Sequence, residues 1–258
     1  MPVALNSVEY GAGRPVVILH GLFDSARNWH SIAVRLSERY RVCVLDLRNH
    51  GASGWADVMD YEELAADVAN FMGSHDVGNA SVIGHGMGGK TAMVLALMKP
   101  ERVSALAVLD IAPVTYSHDH FALVEALREL PLAKIRSRRE ADQALGENVP
   151  EMGVRQFLLQ NLVVREGRFS WRINLDALFA GMEDLTGFPV SLSECCYDGD
   201  SLFLYGGKSD YVQAEHHGII RKLFPDARLE CVDSAGHRLH AEQPEAVTSR
   251  LMRFLGKP

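Results

Sequence analysis

The feature that most constrains the fold is a series of short apolar runs separated by segments with helical periodicity. The runs are rich in Val, Leu and Ile and are nearly continuous in their apolar character, as expected for strands of a parallel sheet that is covered on both faces. The alternation predicts an α/β fold, a mostly parallel twisted sheet with helices on both faces. The runs are PVVILH (15–20), RVCVLD (41–46), ASVIG (80–84), ALAVLD (105–110), SLFLY (201–205) and RLECVD (228–233).

Helical patterns fill the gaps between the strands, for example at 61–75 and at 91–98, where Lys99-Pro100 ends the pattern. The alternation stops over residues 113–191, where several helical patterns follow one another without a convincing strand. We therefore predict an α/β core, residues 1–112 and 192–258, and an inserted helical cap, residues 113–191, over the carboxyl ends of the strands, where open α/β sheets bind ligands. The cap patterns are HFALVEALREL, VRQFLLQNLVV and NLDALFAGM.

Composition excludes several classes of function. A formal charge of −7 and a pI near 5.9 argue against a nucleic-acid partner. No run approaches the roughly 18 apolar residues of a membrane span, so none is expected. The four cysteines lack the spacing of a metal site, which predicts a reducing, cytoplasmic location. No cluster of His, Asp and Glu predicts a metal, no organic cofactor is expected, and the oligomeric state is left open.

The stretch SVIGHGMGGKTAM, residues 81–93, matches three motifs. As a P-loop it would place Lys90 on nucleotide phosphates and Thr91 on Mg²⁺, with Asp110 as the acid of a neighbouring strand end. The loop, however, follows the third or fourth strand and does not open a nucleotide domain. The short pattern also arises readily by chance in a chain with 22 glycines, so we disfavour this reading.

The same stretch also matches a dinucleotide-binding loop through Gly84, Gly86 and Gly89. Asp110 follows at about the spacing of the ribose-binding acid, roughly 20 residues. That fingerprint belongs after the first strand of the sheet, whereas the run at 15–20 is followed by no such glycines. Because the glycines do not follow the first strand, we disfavour the interpretation as a dinucleotide-binding loop.

The third motif is a nucleophile elbow, the tight strand-to-helix turn that presents a catalytic serine, with Gly86 at the nucleophile position. Gly84 and Gly88 flank this position as small residues, which a sharp turn requires. The helix that follows directs its N-terminal amides at the site. The pattern indicates acyl-transfer chemistry with its nucleophile missing.

The other parts of an acyl-transfer site have candidates elsewhere in the chain. His237, in SAGHRLHAEQPE, follows a predicted strand near the C-terminus, which fits the chain order nucleophile, acid, histidine. The backbone N–H groups of Leu22 and Met87 are the candidate donors of an oxyanion hole. The predicted pocket residues at the end of the first strand are His20, Gly21 and Phe23, with Trp55 and Met87 as further wall candidates.

Seven ordered segments together resemble the α/β-hydrolase superfamily, and closely the YbfF-type bacterial esterases and their mitochondrial α/β-hydrolase-domain relative. The resemblance implies a serine carboxylic-ester hydrolase that works through an acyl-enzyme and acts on a small-molecule ester or thioester with a short to medium acyl group. The segments are HGLFDSARNW, LDLRNHGASG, IGHGMGGKTAM, LDIAPV, RFSWRINLDAL, LFLYGGKSDYV and AGHRLHAEQPE.

Three aspartates compete as the acid that would orient His237. The resemblance favours Asp110, in LDIAPV. Asp210, in GGKSDYV, lies near the acid of many α/β hydrolases, and Ser209 is a candidate second hydrogen-bond partner of the histidine. Asp176 belongs to the predicted cap, where a surface carboxylate is the simpler interpretation.

The chain departs from the resemblance at Gly86, where that family has serine. Removal of a catalytic serine costs about 10⁶ in kcat in a serine protease, so this chain is predicted to be inactive or strongly impaired. Glycine also escapes the strain of a positive φ at the elbow. Glycine at position 86 is consistent both with an engineered inactive form and with a natural pseudoenzyme. The alternatives are a non-catalytic ligand-binding protein and a cofactor-free enzyme that uses His237 without a serine.

Overall fold

The computed structural model describes residues 2–117 and 120–256. The ends of the predicted core at residues 1, 257 and 258, and residues 118–119 of the predicted cap, lie outside this part of the chain. The strands of the main sheet are β1 (Ser7–Tyr10), β2 (Arg14–Leu19), β3 (Tyr40–Leu45), β4 (Ala80–His85), β5 (Val103–Leu109), β8 (Ser201–Gly206) and β9 (Ala227–Val232), and a separate pair is β6 (Leu162–Arg165) and β7 (Arg168–Trp171). The seven-stranded sheet has the order β1-β3-β2-β4-β5-β8-β9, and all its neighbouring strands are parallel except β1 and β3.

Helices cover both faces of the sheet. Alternate residues of each strand point to opposite faces. Val16 and Ile18 pack with the helices His30–Leu36 and Pro244–Leu255, whereas Val17 and Leu19 pack with the helices Tyr61–Ser74, Met87–Met98 and His217–Leu223. Both faces are thus apolar, which is why six strands could be predicted from continuous apolar runs. The helices are α1 (His30–Leu36), α2 (Tyr61–Ser74), α3 (Met87–Met98), α4 (His120–Glu129), α5 (Arg138–Leu145), α6 (Met152–Leu158), α7 (Leu175–Ala180), α8 (Met182–Thr186), α9 (His217–Leu223), α10 (Leu239–Glu242) and α11 (Pro244–Leu255).

All six predicted strands are confirmed, and β1 is an additional strand. β1 pairs antiparallel with β3 at the sheet edge and is only partly buried. A short edge strand lacks the apolar run that marks the central strands, because only one of its sides packs on the protein. The sequence pattern therefore gave no signal for it.

The segment predicted to form a cap, residues 113–191 and called the cap segment below, contains α4 to α8. The expectation that it has no strand is wrong. β6 and β7 form an antiparallel hairpin in it. Their link, Glu166-Gly167, has two positive φ angles, 49° and 76°, as a two-residue hairpin turn of this hand requires. The segment VRQFLLQNLVV contains the end of α6 and most of β6. Its helical periodicity therefore obscured the change to the two-residue period of a strand.

A buried ion pair fixes the loop that follows β3. The Arg48 guanidinium is fully buried and donates to both carboxylate oxygens of Asp67, at 2.6 and 2.9 Å, and to Glu63 and the carbonyl oxygen of Val58. Asp67 lies on α2, so the pair ties the strand end to that helix. Arg48 therefore has a structural role in this loop.

Removing one member of this pair is expected to destabilise the protein strongly. Arg48→Met leaves the buried Asp67 carboxylate uncompensated, which should lower the free energy of unfolding by about 3 to 5 kcal/mol. Urea unfolding checks this. The matched control is Arg253→Met, because Arg253 is an exposed partner of Glu230 and should change stability by less than about 0.5 kcal/mol. Equal effects of the two substitutions would contradict the assignment.

Candidate active site

The turn between β4 and α3 is tight because two glycines beside Gly86 allow backbone segments to touch. A Cβ atom at Gly84 would lie 2.1 Å from the carbonyl oxygen of Gly88, and one at Gly88 would lie 2.4 Å from that of Leu19. Gly86 itself has φ 52° and ψ −118°, a conformation that side-chain-bearing residues rarely adopt. The backbone thus has the shape expected of a nucleophile elbow.

Gly86 differs from its two flanking glycines because there is room for a side chain. A Cβ atom built at Gly86 would lie 3.5 Å from His237 Nε2 and 3.6 Å from Cε1, which is ordinary van der Waals contact. The direction of that Cα–Cβ bond is therefore toward the imidazole. A small side chain at this position would meet the one ring nitrogen of His237 that the acid does not hold.

His237 is held by Asp110 through its other ring nitrogen. His237 Nδ1 lies 2.8 Å from Asp110 Oδ2, and because a carboxylate accepts, Nδ1–H donates and Nε2 is left as an acceptor. Asp110 is fully buried at the end of β5, and its Oδ1 accepts from the Gly206 N–H at 2.8 Å. These contacts hold the imidazole in the tautomer that a general base needs.

Ser209 contacts the acid and not the histidine. Its hydroxyl donates to Asp110 Oδ2, the same oxygen that His237 contacts. The expectation that Ser209 is a second partner of His237 is thus wrong in its detail, because the loop after β8 turns the hydroxyl toward the carboxylate. The carboxylate of Asp110 accepts three hydrogen bonds in all, from Gly206, Ser209 and His237.

Asp110, and neither of the two other candidate acids, holds the ring of His237. Asp210 is exposed on the loop after β8. Asp176 pairs with Arg128 at 2.9 Å, and its side chain is 84% exposed. Neither lines the cavity described below.

Two further aromatic residues pack around His237. The Tyr211 ring stacks on the imidazole with ring centroids 3.9 Å apart and planes 20° apart. His85 lies on another side, and its Nε2–H donates to the carbonyl oxygen of His237 at 2.8 Å. Burial, and the neighbouring His240 and His237, lower the pKa of His85 well below its usual value, so its ring is neutral. His237 is therefore fixed at its ring and at its backbone.

A cavity of about 310 Å³ opens between this site and the cap segment. Gly21, Leu22, Phe23 and Met87, the candidates for the pocket and the oxyanion donors, are among the residues that line it. The cap contributes apolar residues from α4, α6 and α8. The lining also includes Asp24, Tyr61, His85, Gly86, Lys90, Ile111, Tyr116, His120, Leu123, Val154, Phe157, Leu158, Leu185, Thr186, Tyr211, His237, Arg238, His240 and Glu242.

His20 and Trp55 are not among the residues that line the cavity, although both were pocket candidates. His20 is fully buried behind the strand end, where Nε2 accepts from the Leu47 N–H at 3.0 Å and Nδ1–H donates to the carbonyl oxygen of Gly21 at 2.8 Å. Both ring nitrogens are thus used to shape the backbone that leads to Leu22. Trp55 is 52% exposed, on a different surface.

The predicted oxyanion donors are the backbone N–H groups of Leu22 and Met87. Met87 is the first residue of α3, where backbone N–H groups lack partners within the helix and where the helix dipole is positive. Leu22 lies on the loop after β2, and both residues line the cavity.

The nucleotide-binding readings conflict with the positions of Lys90 and Thr91. Lys90 Nζ donates to the carbonyl oxygens of Thr186 and Gly187. The Thr91 hydroxyl donates to the carbonyl oxygen of Met87 at 2.9 Å. Both side chains are used inside the fold, on the first turns of α3, and neither faces a phosphate-binding loop.

Sequence reasoning missed Tyr211, Tyr116 and the role of Lys90 in the cavity. Tyr211 lies in LFLYGGKSDYV, a segment in which only Asp210 and Ser209 were candidate site residues. The Tyr116 hydroxyl accepts from the Ala112 N–H at 2.8 Å and donates to the carbonyl oxygen of Tyr211. No local pattern marks the contact between Tyr116 and Tyr211, because the two residues lie 95 positions apart in the chain.

Serine at position 86 is expected to lower stability while the fold is retained. Gly86→Ser and Gly86→Ala each place a Cβ atom at φ 52°, which should cost about 1 to 2 kcal/mol. Urea midpoints and melting temperatures measure this. The control is Gly73→Ala, at an exposed helical position with open space around it, where no loss is expected. If neither substitution at position 86 lowered the midpoint, the strain argument would be wrong.

The fold and the site define an α/β hydrolase. A family model described as "alpha/beta hydrolase fold" matches residues 14–244, and the chain belongs to this family. Mouse "sn-1-specific diacylglycerol lipase ABHD11" is 40% identical over 99% of this chain and 85% of its own length. "Esterase YbfF" of Escherichia coli strain K12 is 34% identical over 93% of this chain and 92% of its own.

A solved structure titled "Marine microorganism esterase" superposes with a TM-score of 0.94 at 35% identity, over 98% of this chain and 99% of that one. The relatives and this neighbour are ester hydrolases by name, so the chain belongs to an ester-hydrolase family. Within the residues that the structure describes, no helix is long and apolar enough to cross a membrane. In the same residues, no group of three or more His, Cys, Asp or Glu side chains is placed to hold a metal ion.

Proposed function

We propose that this chain carries the scaffold of a serine carboxylic-ester hydrolase whose nucleophile position is occupied by Gly86. The observation that carries the proposal is the direction of the missing side chain. A Cβ atom at Gly86 would lie 3.5 Å from His237 Nε2, while Asp110 holds Nδ1 of the same ring at 2.8 Å. The roles of nucleophile position, general base and acid are therefore assigned to Gly86, His237 and Asp110.

With serine at position 86, this geometry supports acyl transfer in two steps. His237 Nε2 takes the hydroxyl proton as the oxygen attacks the ester carbonyl, and the amides of Leu22 and Met87 stabilise the oxyanion. The imidazolium then gives its proton to the leaving alcohol or thiol. Water, activated by the same nitrogen, releases the acid. Asp110 stabilises the imidazolium throughout.

Without a hydroxyl at position 86, the acyl-enzyme cannot form. No cysteine lines the cavity, and burial raises the pKa of the Cys43 thiol to about 11, so it stays protonated. We therefore propose that the chain is inactive or strongly impaired. The remaining route is hydrolysis by a water that His237 activates, and this is expected to be slow.

The second candidate function is ligand binding without turnover. The cavity favours it, because His237 and residues of the cap segment line a mostly apolar space beside Gly86, where the nucleophile is absent. The cavity volume suits one short to medium acyl chain. The mouse relative is named for diacylglycerols, and one acyl chain of such a lipid is the part that this cavity would take. A cytoplasmic location, predicted from the cysteine spacing, stays a prediction.

The test is hydrolysis of a p-nitrophenyl ester series by this chain and by Gly86→Ser, side by side. Turnover by the serine variant alone would support the assigned roles and the inactivation. If neither the unaltered chain nor Gly86→Ser hydrolysed the esters, ligand binding would become the favoured function. A similar rate for both, abolished by His237→Ala, would favour an enzyme that uses His237 without a serine.

A further inference from the structure

A buried lysine forms part of the cavity wall. Lys90 is 1% exposed and lines the cavity one helical turn after Gly86. The Lys90 N–H donates to the carbonyl oxygen of Gly86 at 3.0 Å, and this helical spacing places the two Cα atoms about 6 Å apart along the helix. A short acyl chain attached at position 86 is thus long enough to approach the lysine.

The surroundings of Lys90 are polar but uncharged. Its ammonium group donates to the carbonyl oxygens of Thr186 and Gly187, at the end of α8, and lies 5.6 and 4.9 Å from the ring centroids of Tyr61 and Tyr116. Across residues 2–117 and 120–256, no carboxylate lies within ion-pair distance of Nζ. Tyr61, Tyr116 and Thr186 also line the cavity.

A buried cation without a counter-ion is unfavourable unless a ligand supplies the opposite charge. An ammonium group has three donors, and backbone carbonyls take two of those on Lys90. If Lys90 only anchored the cap segment, a neutral hydrogen-bond donor would be sufficient, and a cation at the cavity wall would not be needed. The arrangement therefore points to a ligand with an anionic end.

We propose that Lys90 recognises a carboxylate at the far end of the acyl group, so that the preferred ligands are half-esters of dicarboxylic acids. This inference rests on the proposed function, because it takes the ester group to lie at position 86. The apolar cavity alone does not distinguish one class of ester from another, whereas a carboxylate-binding Lys90 would select half-esters. A neutral acyl chain of the same length would leave the cation without its counter-charge.

Binding should also be coupled to protonation of Lys90. Burial lowers the pKa of Lys90 to about 7, and a bound carboxylate would raise it again by favouring the charged form. The titratable side chains that face the ammonium group are Tyr61 and Tyr116, and burial raises the pKa of both, so they stay neutral. Affinity for a half-ester should therefore be highest below pH 7 and fall as the pH rises above it, with proton uptake on binding at pH 8.

The experiment uses the unaltered chain, which should bind esters without cleaving them. Calorimetry compares monoethyl glutarate with ethyl 5-methylhexanoate, in which an isopropyl group replaces the carboxylate. The half-ester is expected to bind about tenfold to a hundredfold more tightly, the range for a hydrogen bond to a charged partner. Repeating the titration in two buffers of different ionisation enthalpy measures the proton uptake. A preference for the isopropyl ester, or no proton uptake at pH 8, would overturn the proposal.

Lys90→Met tests the residue, and Lys99→Met is the matched control. Both lysines belong to the same helical segment, but Lys99 is exposed at its end. The affinity ratio of the two esters should fall to about one in Lys90→Met and persist in Lys99→Met. Persistence of the ratio in a folded Lys90→Met would show that the lysine only anchors the cap. If that variant fails to fold, the ester pair and the proton uptake of the unaltered chain still decide the question.

The two proposals fail in different ways. If Gly86→Ser hydrolyses simple esters but the unaltered chain shows no preference for the half-ester, only the carboxylate site is wrong. If the preference is present but Gly86→Ser hydrolyses neither ester, the cavity is a carboxylate-binding site without esterase chemistry.

Discussion

Gly86→Ser is expected to raise kcat for p-nitrophenyl ester hydrolysis by about 10⁶-fold, the scale on which a serine hydrolase loses activity when its nucleophile is removed. The other parts of the site are already in place. His237 Nε2 faces the position, Asp110 holds Nδ1, and the elbow has the required backbone angles. Steady-state kinetics on short and medium acyl chains provide the measurement.

Two controls separate the hydroxyl from its side effects. Gly86→Ala adds the Cβ atom and its strain but no nucleophile, so it should stay at background. The double variant Gly86→Ser with His237→Ala should lose most of the gain, because triad members act as a unit. An active Gly86→Ala variant would show that the gain comes from a conformational effect, and the assigned chemistry would fail.

Asp110→Asn in the Gly86→Ser background should lower kcat by about 10⁴-fold, as the loss of a triad carboxylate does when the amide stabilises the wrong tautomer of the histidine. Asparagine would offer an N–H to His237 Nδ1, which would force the ring proton onto Nε2. That nitrogen would then be unable to accept the serine proton. KM should change much less than kcat, because the ester does not contact the acid.

The matched control is Asp210→Asn in the same background. Asp210 is exposed, outside the cavity lining, and its substitution should change kcat by no more than about twofold, the scale of a surface change. If Asp210→Asn were the damaging substitution, the acid would be misassigned. Melting temperatures of both variants show whether the hydrogen bonds of Asp110 to Gly206 and Ser209 are needed for folding.

Much of the fold follows from the sequence because its signals are local. A strand buried on both faces must be apolar at nearly every position, so six runs of this kind identify six strands. The elbow glycines are equally local, since Gly84 and Gly88 must allow backbone atoms to meet. β1 and the β6–β7 hairpin lack such signals, because one is a short edge strand and the other adjoins a helix.

The partners within the site are set by tertiary structure. Asp110 and His237 are 127 residues apart in the chain, and the order of β5, β8 and β9 in the sheet brings them together. The same topology turns Ser209 toward the carboxylate, stacks Tyr211 on the imidazole and keeps His20 behind the cavity wall. Residue type alone could not distinguish Asp110 from Asp210.

The sequence by itself determined the fold class, the elbow and the absence of a hydroxyl at its centre, because each depends on residues that are neighbours along the chain. Only the tertiary structure decided which aspartate holds His237, and that Lys90 is enclosed at the cavity wall with no carboxylate at ion-pair distance among the residues that the structure describes. Distances between remote side chains depend on the order of the strands and on the placement of the cap, and no local pattern encodes either.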